Sequence, residues 1–147
     1  MKMRMTYQVP IIEKREYVLL KRLISLSNFH FDGRKPWEVR KLSDLLKSAK
    51  VLDEEEMPED IVRLHTTVTV SQFEAEERSF QIVLPDAVSS ESHHESILSP
   101  IGVACFGFSL GTNVQVTSAD STKSYNICKV KQSNKAKNSI SVNQEHD

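Results

Sequence analysis

The feature that most constrains this chain is a change of apolar period across one acidic, proline-bearing break. Before the break, Leu19, Leu20, Leu23 and Leu26 recur at spacings of three and four, which is the period of a helix with one apolar face. This predicts a helix over residues 13–27, with Lys14, Arg15, Lys21 and Arg22 on its other side. Residues 28–36 read as a turn: Gly33 supplies a positive φ, and Pro36 disfavours the α region for Lys35. Pro36 also suits a first helical position, and Val39, Leu42, Leu46 and Ala49, with Leu45 beside them, give a second stripe. Two such helices joined by a short turn form an antiparallel αα-hairpin. Each is near the length at which an isolated helix is marginal, so mutual packing must hold them.

The break, residues 53–60, clusters acids around Pro58 and reads as a solvated linker. After it the period is two. Val68 and Val70 alternate with Thr67 and Thr69, while Phe80, Ile82 and Leu84 alternate with Gln81 and Val83, which predicts two β-strands with a charged turn at Glu74 to Glu77. Residues 86–96 are polar and serine-rich, a loop, and Ile97 and Leu98 close a short strand. Ser99 can cap a helix with its hydroxyl, and Pro100 has a φ already suited to the first turn. Ile101, Ala104, Cys105 and Phe108 then share one helical face, with Gly111 ending the helix or forming the turn after it. Residues 113–117 and 125–130 read as two further strands around a turn at 118–123. From Gln132 no apolar period is sustained, and the tail, residues 132–147, is predicted disordered. Helices followed by an antiparallel sheet with one covering helix argue an α+β fold. It divides into a helical hairpin (1–52), an acidic linker (53–60), a β domain (61–131) and the tail.

Charge follows the same division. Residues 1–50 carry 12 Lys/Arg against 5 Asp/Glu, whereas residues 51–128 carry 3 against 13, although the whole chain sums to −1. Two surfaces of opposite sign suit different partners, and they also simply solvate two halves. Cys105 and Cys128 lack metal-type spacing and are too few for a disulfide framework. Both are expected reduced and buried, in a cytoplasmic protein. No stretch has the length of a membrane span, and no apolar signal segment is evident.

Two segments carry a family resemblance. Glu55-Glu56-Met57-Pro58-Glu59-Asp60-Ile61-Val62 enters the β domain, and Ser99-Pro100-Ile101-Gly102-Val103-Ala104-Cys105-Phe106-Gly107 opens its helix. Both, in this order behind two helices, resemble the Gre/Rnk family of bacterial RNA polymerase-binding factors. The first is most similar to the Rnk branch, the regulators of nucleoside diphosphate kinase. Tyr17, Leu20 and Leu23 also fit the family's first helix, so the resemblance covers roughly residues 11–131. It implies an FKBP-like β domain that grips the rim of the polymerase secondary channel and a coiled coil directed into it. By this resemblance Ser99, Pro100, Ile101 and Gly102 contact polymerase.

Gre factors hold a magnesium ion at acidic coiled-coil tips and promote transcript cleavage; in the Rnk branch the coil is shorter and cleavage is not stimulated. Here each helix has roughly 15 residues, on the order of 20–25 Å at 1.5 Å per residue, about half of the Gre pattern. Magnesium needs converging carboxylates. The turn offers Asp32, with Glu38 further on, amid Arg34 and Lys35, and an Asp before Gly is the usual turn former. No metal or cofactor is therefore expected. Phe31, Asp32, Arg34 and Trp37 are candidate tip contacts, since aromatic and arginine side chains are favoured at interfaces; Phe29 and its neighbours equally serve to seal the hairpin end. His93 and His94 lack a third ligand nearby and read as a solvated loop.

The expected function is a monomeric, non-enzymatic transcription regulator on RNA polymerase, with no direct nucleic-acid contact. A Gre-type cleavage and elongation factor is one alternative. An FKBP-like prolyl isomerase is another, but its aromatic-lined pocket would have to come from Phe73, Phe80, Phe106, Phe108 and Tyr125, most of them placed as core.

Overall fold

The computed structural model describes residues 9–30, 36–72, 77–89, 92–118 and 121–133. The candidate tip residues Phe31, Asp32 and Arg34 lie outside them, and Trp37 enters only through its backbone. The fold is α+β.

It begins with a short strand that periodicity did not reveal. Strand β1 (Ile11–Glu13) runs parallel to β2 (Lys50–Leu52), with Ile12 opposite Val51. Between them the chain makes helices α1 (Lys14–His30) and α2 (Pro36–Ser48). One helix leaves β1 and the other returns to β2 beside it. Glu13 is thus a strand residue, 3% exposed, rather than the first helical one. Its carboxylate Oε1 accepts from the Glu16 amide at 3.1 Å, satisfying one of the donors that a helix start leaves free.

The α2 stripe is as read: Val39, Leu42 and Leu46 are buried, with Leu45 and Ala49 against them. The α1 stripe is rotated. Leu20 is fully buried, with Tyr17, Leu23 and Ile24 packed beside it, whereas Leu19 and Leu26 are exposed. Helical spacing allows either stripe; contact with α2 and the sheet selects the one containing Tyr17.

Strands β3 (Thr67–Ser71), β4 (Glu77–Val83), β5 (His94–Ser96), β6 (Asn113–Ser118) and β7 (Ser121–Lys131) form a sheet ordered β5-β4-β3-β7-β6. It is not wholly antiparallel. The chain between β4 and β5 doubles back past a 3-10 turn at Pro85–Ala87, so β5 pairs with β4 in parallel. The strand thus falls inside the segment expected as a loop, and Ile97 and Leu98, expected as strand, form the turn after it, with the Ile97 amide still donating to the Val83 carbonyl at 2.9 Å. At the other hairpin, pairing extends to Ser118 opposite Ser121, so residues that read as a long turn are strand.

The β3–β7 register shifts after Thr69: Thr69 faces Lys129, and Val70 faces Ile127. Cys128 is the extra residue of this bulge, which leaves it half-buried instead of enclosed. Its Sγ donates to the Thr69 carbonyl at 3.4 Å. Cys105 is fully buried, and burial pushes its thiol up to about 12. Both cysteines are free.

Helix α3 (Pro100–Cys105) covers one face of the sheet. It ends before Phe108, because Gly107 turns the chain at φ +88°. Phe106, 1% exposed, is among the largest fully buried side chains of the core. Gly111, at φ +91°, makes the later turn into β6. The buried cluster is continuous from Ile12, Leu20 and Leu42 through Val62 and Phe106 to Ile82 and Ile127. No helix among the described residues is long and apolar enough to cross a membrane.

Candidate functional site

The turn into α3 is built almost entirely from backbone and hydroxyl groups. Ser99, at φ −70° and ψ 157°, caps the helix: its Oγ accepts from the Gly102 amide at 3.1 Å. Its carbonyl accepts from Val103 at 3.0 Å, and its own amide donates to the Ser96 carbonyl at 2.9 Å. Ser96 Oγ in turn accepts from the Leu98 amide at 2.9 Å. Gly102 sits against this turn so closely that an added Cβ would lie 2.2 Å from the Ser96 carbonyl oxygen. Only glycine fits.

The four residues nominated from sequence therefore meet in one turn but divide by exposure. Ser99 and Pro100 reach the surface in part. Ile101 is 5% exposed and belongs to the core, and Gly102 is buried. Leu98, which stands where the family sometimes carries an acid, is buried as well.

The far end of the same segment has a second close approach. A Cβ on Gly107 would lie 2.7 Å from Pro10 Cβ. The Gly107 carbonyl accepts from Ile11 at 2.9 Å, and its amide donates to Val62 at 2.9 Å. The segment from Ser99 to Gly107 thus ties α3 at one end to the β5 edge and at the other to β1.

Beside Pro100 opens a groove of about 330 Å³. Its walls come from three elements: Lys41, Asp44, Leu45 and Ser48 on α2, Pro100, Val103 and Ala104 on α3, and Gln115 and Thr117 on β6.

A second polar cluster, invisible in the sequence, lies at the root of α1. Arg63 is 10% exposed in its side chain. Its Nη1 and Nη2 bind the two oxygens of Glu54 at 3.0 and 2.8 Å, and Nη2 also donates to Glu16 Oε2 at 3.2 Å. Glu13 stands 3.9 Å away. The exposed Arg15 bridges Glu13 at 3.1 Å and Glu54 at 3.3 Å. Glu16 Oε1 meets the Leu64 amide at 3.5 Å. Thr66 Oγ1 accepts from the Arg63 amide at 2.9 Å and donates to Gln132 Oε1 at 2.7 Å. Gln132 Nε2 donates to the Glu59 and Ile61 carbonyls, so the chain is held as far as this residue; residues 134–147 lie outside the described set.

The charges in this joint pull in different directions. Burial raises the Glu16 carboxyl above its ordinary range, against the pull of Arg63. The Arg63 hydrogen bonds hold Glu54 below it. Burial works against the Arg63 guanidinium, but Glu54, Glu16 and Glu13 outweigh it and keep the group charged. Arg63 Nε is buried with no hydrogen-bond partner. The acids are spent on arginines: among the described residues no group of three His, Cys, Asp or Glu could hold a metal ion. His94 Nδ1 instead accepts from the Ser89 amide at 3.0 Å, which closes its own loop.

The comparisons fall on this same body. The family model for transcription elongation factor GreA/GreB, C-terminal, matches residues 57–132. The transcription elongation factor GreA of Azorhizobium caulinodans is 32% identical over 120 residues, spanning 81% of this chain and 71% of that protein. That of Clostridium botulinum is 32% identical over 90 residues, 60% of this chain and 56% of that protein. The solved prokaryotic transcription elongation factor GreA/GreB from Nitrosomonas europaea shares the fold at a TM-score of 0.68 and 24% identity, covering 85% of this chain and 99% of that one. An α+β body with a capped α3 turn, matched over its whole sheet, is a transcription-factor domain, and the chain belongs to the GreA/GreB C-terminal family of transcription elongation factors.

Proposed function

We propose that this chain is a transcription regulator of the Rnk type that docks on the rim of the RNA polymerase secondary channel and does not stimulate transcript cleavage. Residues 61–131 act as an FKBP-like docking domain and residues 1–52 as a short coiled-coil hairpin, joined through residues 53–60. The observation that carries this reading is the pairing of a rigid, half-exposed Ser99 and Pro100 turn with short helices. The turn offers a fixed contact edge, since its cap and the Gly102 cradle leave it no freedom. The helices have 17 and 13 residues, so the shorter arm spans about 20 Å, too little for a long reach into a channel. Phe31, Asp32, Arg34 and Trp37 remain the candidate contacts at its tip.

The test is binding of the full chain to core RNA polymerase, beside the Ser99→Ala/Pro100→Ala double variant, with transcript cleavage followed on a stalled complex. Binding that the double variant weakens, without cleavage, is the expected result. No binding by folded wild-type protein would sink the reading. The names of the Azorhizobium and Clostridium relatives favour a second reading, a transcription elongation factor, for which the Gre resemblance implies cleavage; magnesium-dependent cleavage in the same assay would establish it.

A further inference from the structure

We propose that the docking surface is composite: the polymerase segment that meets Ser99 and Pro100 continues into the groove between α2, α3 and β6 and seats an apolar side chain there. This rests on the docking reading above and adds the helical arm to it. Two half-exposed residues do not make a specific interface, because stable ones bury about 800 Å² on each partner. The contact must spread from Pro100, and Pro100 is itself a wall of the groove.

The groove has the make-up of an interface centre with a polar rim. Its floor is Leu45, Pro100 and Ala104, all half-buried, and Leu45 and Ala104 are already packed on the core, so it is preformed. Its volume of about 330 Å³ admits one or two side chains. Lys41 and Asp44 are exposed on one rim, and Gln115 and Thr117 on the other. Neither Lys41 nor Asp44 has an ion-pair partner among the described residues, so both charges are available to groups flanking the inserted side chain. Since one wall is α2, the groove is complete only when the helical arm lies against the sheet. Docking there would report the position of the arm as well as the identity of the loop.

The test fills the groove from exposed positions. Thr117→Arg enters from β6 and Ser48→Arg from α2; Arg22→Ala, on the exposed side of α1, is the control. All are compared with wild type and with Ser99→Ala/Pro100→Ala for binding to core RNA polymerase, with circular dichroism confirming the fold. The expected result is a loss of affinity of about tenfold or more for each groove variant, a comparable loss for the double variant and none for the control. Loss in the double variant with wild-type binding by both groove variants would overturn the composite surface and leave the docking reading intact. Loss in the groove variants alone would support the groove and overturn the assignment of Ser99 and Pro100. Absence of binding by the wild type would overturn both. Two groove variants on opposite walls keep the test decisive if one of them fails to fold.

Discussion

The Arg63 joint and the Ser99-to-Gly107 segment both tie the helical part of the molecule to the sheet, with opposite chemistry. At Arg63 the tie is charge: one guanidinium draws together carboxylates from β1, α1 and the acidic turn after β2. In the other segment it is shape: hydroxyl caps, carbonyl acceptors and two glycines pressed against neighbouring chain. The first couples groups far apart in sequence and responds to pH. The second is set by backbone contacts, local between Gly102 and Ser96 and long-range from Gly107 to Pro10 and Ile11; it tolerates almost no added atom, and its one titratable side chain, Cys105, stays protonated at neutral pH. A docking edge belongs on the second kind of scaffold, because its geometry stays the same when conditions change.

The largest effect is expected at the steric tie. Gly102→Ala places a methyl against a backbone carbonyl that cannot swing away, and should cost about 3 kcal/mol or more in denaturant unfolding. An alanine variant with wild-type stability would show that the turn is softer than drawn. Arg63→Met sharpens the contrast from the other side. It strands Glu16 in a buried site, and removing one partner of a buried pair costs about 3 kcal/mol or more. Glu54 is one-third exposed, which holds this to the low end. Adding Glu16→Gln should restore much of the loss, whereas no second substitution in the Ser96 turn should rescue Gly102→Ala.

Gly107→Ala combines a positive φ with the approach to Pro10, for about 2 kcal/mol. Its signature is local: amide exchange should rise in β1 before it rises in the sheet. Ser99→Ala removes one cap hydrogen bond and should cost about 1 kcal/mol, small enough that a binding loss cannot be mistaken for unfolding.

The smallest effect is the most specific to charge. Glu54→Gln should cost under about 1 kcal/mol at neutral pH. The folded protein holds Glu54 below its ordinary range, so its contribution is present above that range and is lost as pH falls through the depressed value. Glu16 is raised, so its contribution runs the other way: present at low pH, lost as pH rises through the raised value. The stability gap between wild type and Glu54→Gln should therefore narrow as pH falls below the ordinary carboxylate range and close only below the depressed value of Glu54. A gap that persists there would mean Glu54 acts through packing rather than charge.

How far this was legible differs by element. The α2 stripe, strands β3 and β6 and the Ser99 cap are local patterns that appear in the structure where the residues put them, and β4 and β7 appear too, though each begins earlier than its alternation suggests. The α1 stripe differs from its periodicity because Leu19 and Leu20 fit two overlapping helical faces, and only packing chooses. The β1–β2 ladder left just a faint signal, the apolar pairs Ile11-Ile12 and Val51-Leu52, too short to show a period. The bulge that half-exposes Cys128 depends on a register slip against β3, which has no trace in β7 alone. Nothing in spacing marks Arg63, since its partners Glu54 and Glu16 lie 9 and 47 residues away with no shared period.

By itself, then, the sequence determined the periods, the caps and the glycines. The periods, the caps and the Gly102 turn close within a few residues, so the residue types alone carry them; the approach of Gly107 to Pro10 does not. Which face of α1 is buried, which carboxylates converge on Arg63, and that α2, α3 and β6 enclose one groove were decided only by the tertiary structure. Each of these depends on bringing together residues from separate elements, most of them tens of positions apart, where one chain pattern is compatible with several pairings and only the packed whole selects among them.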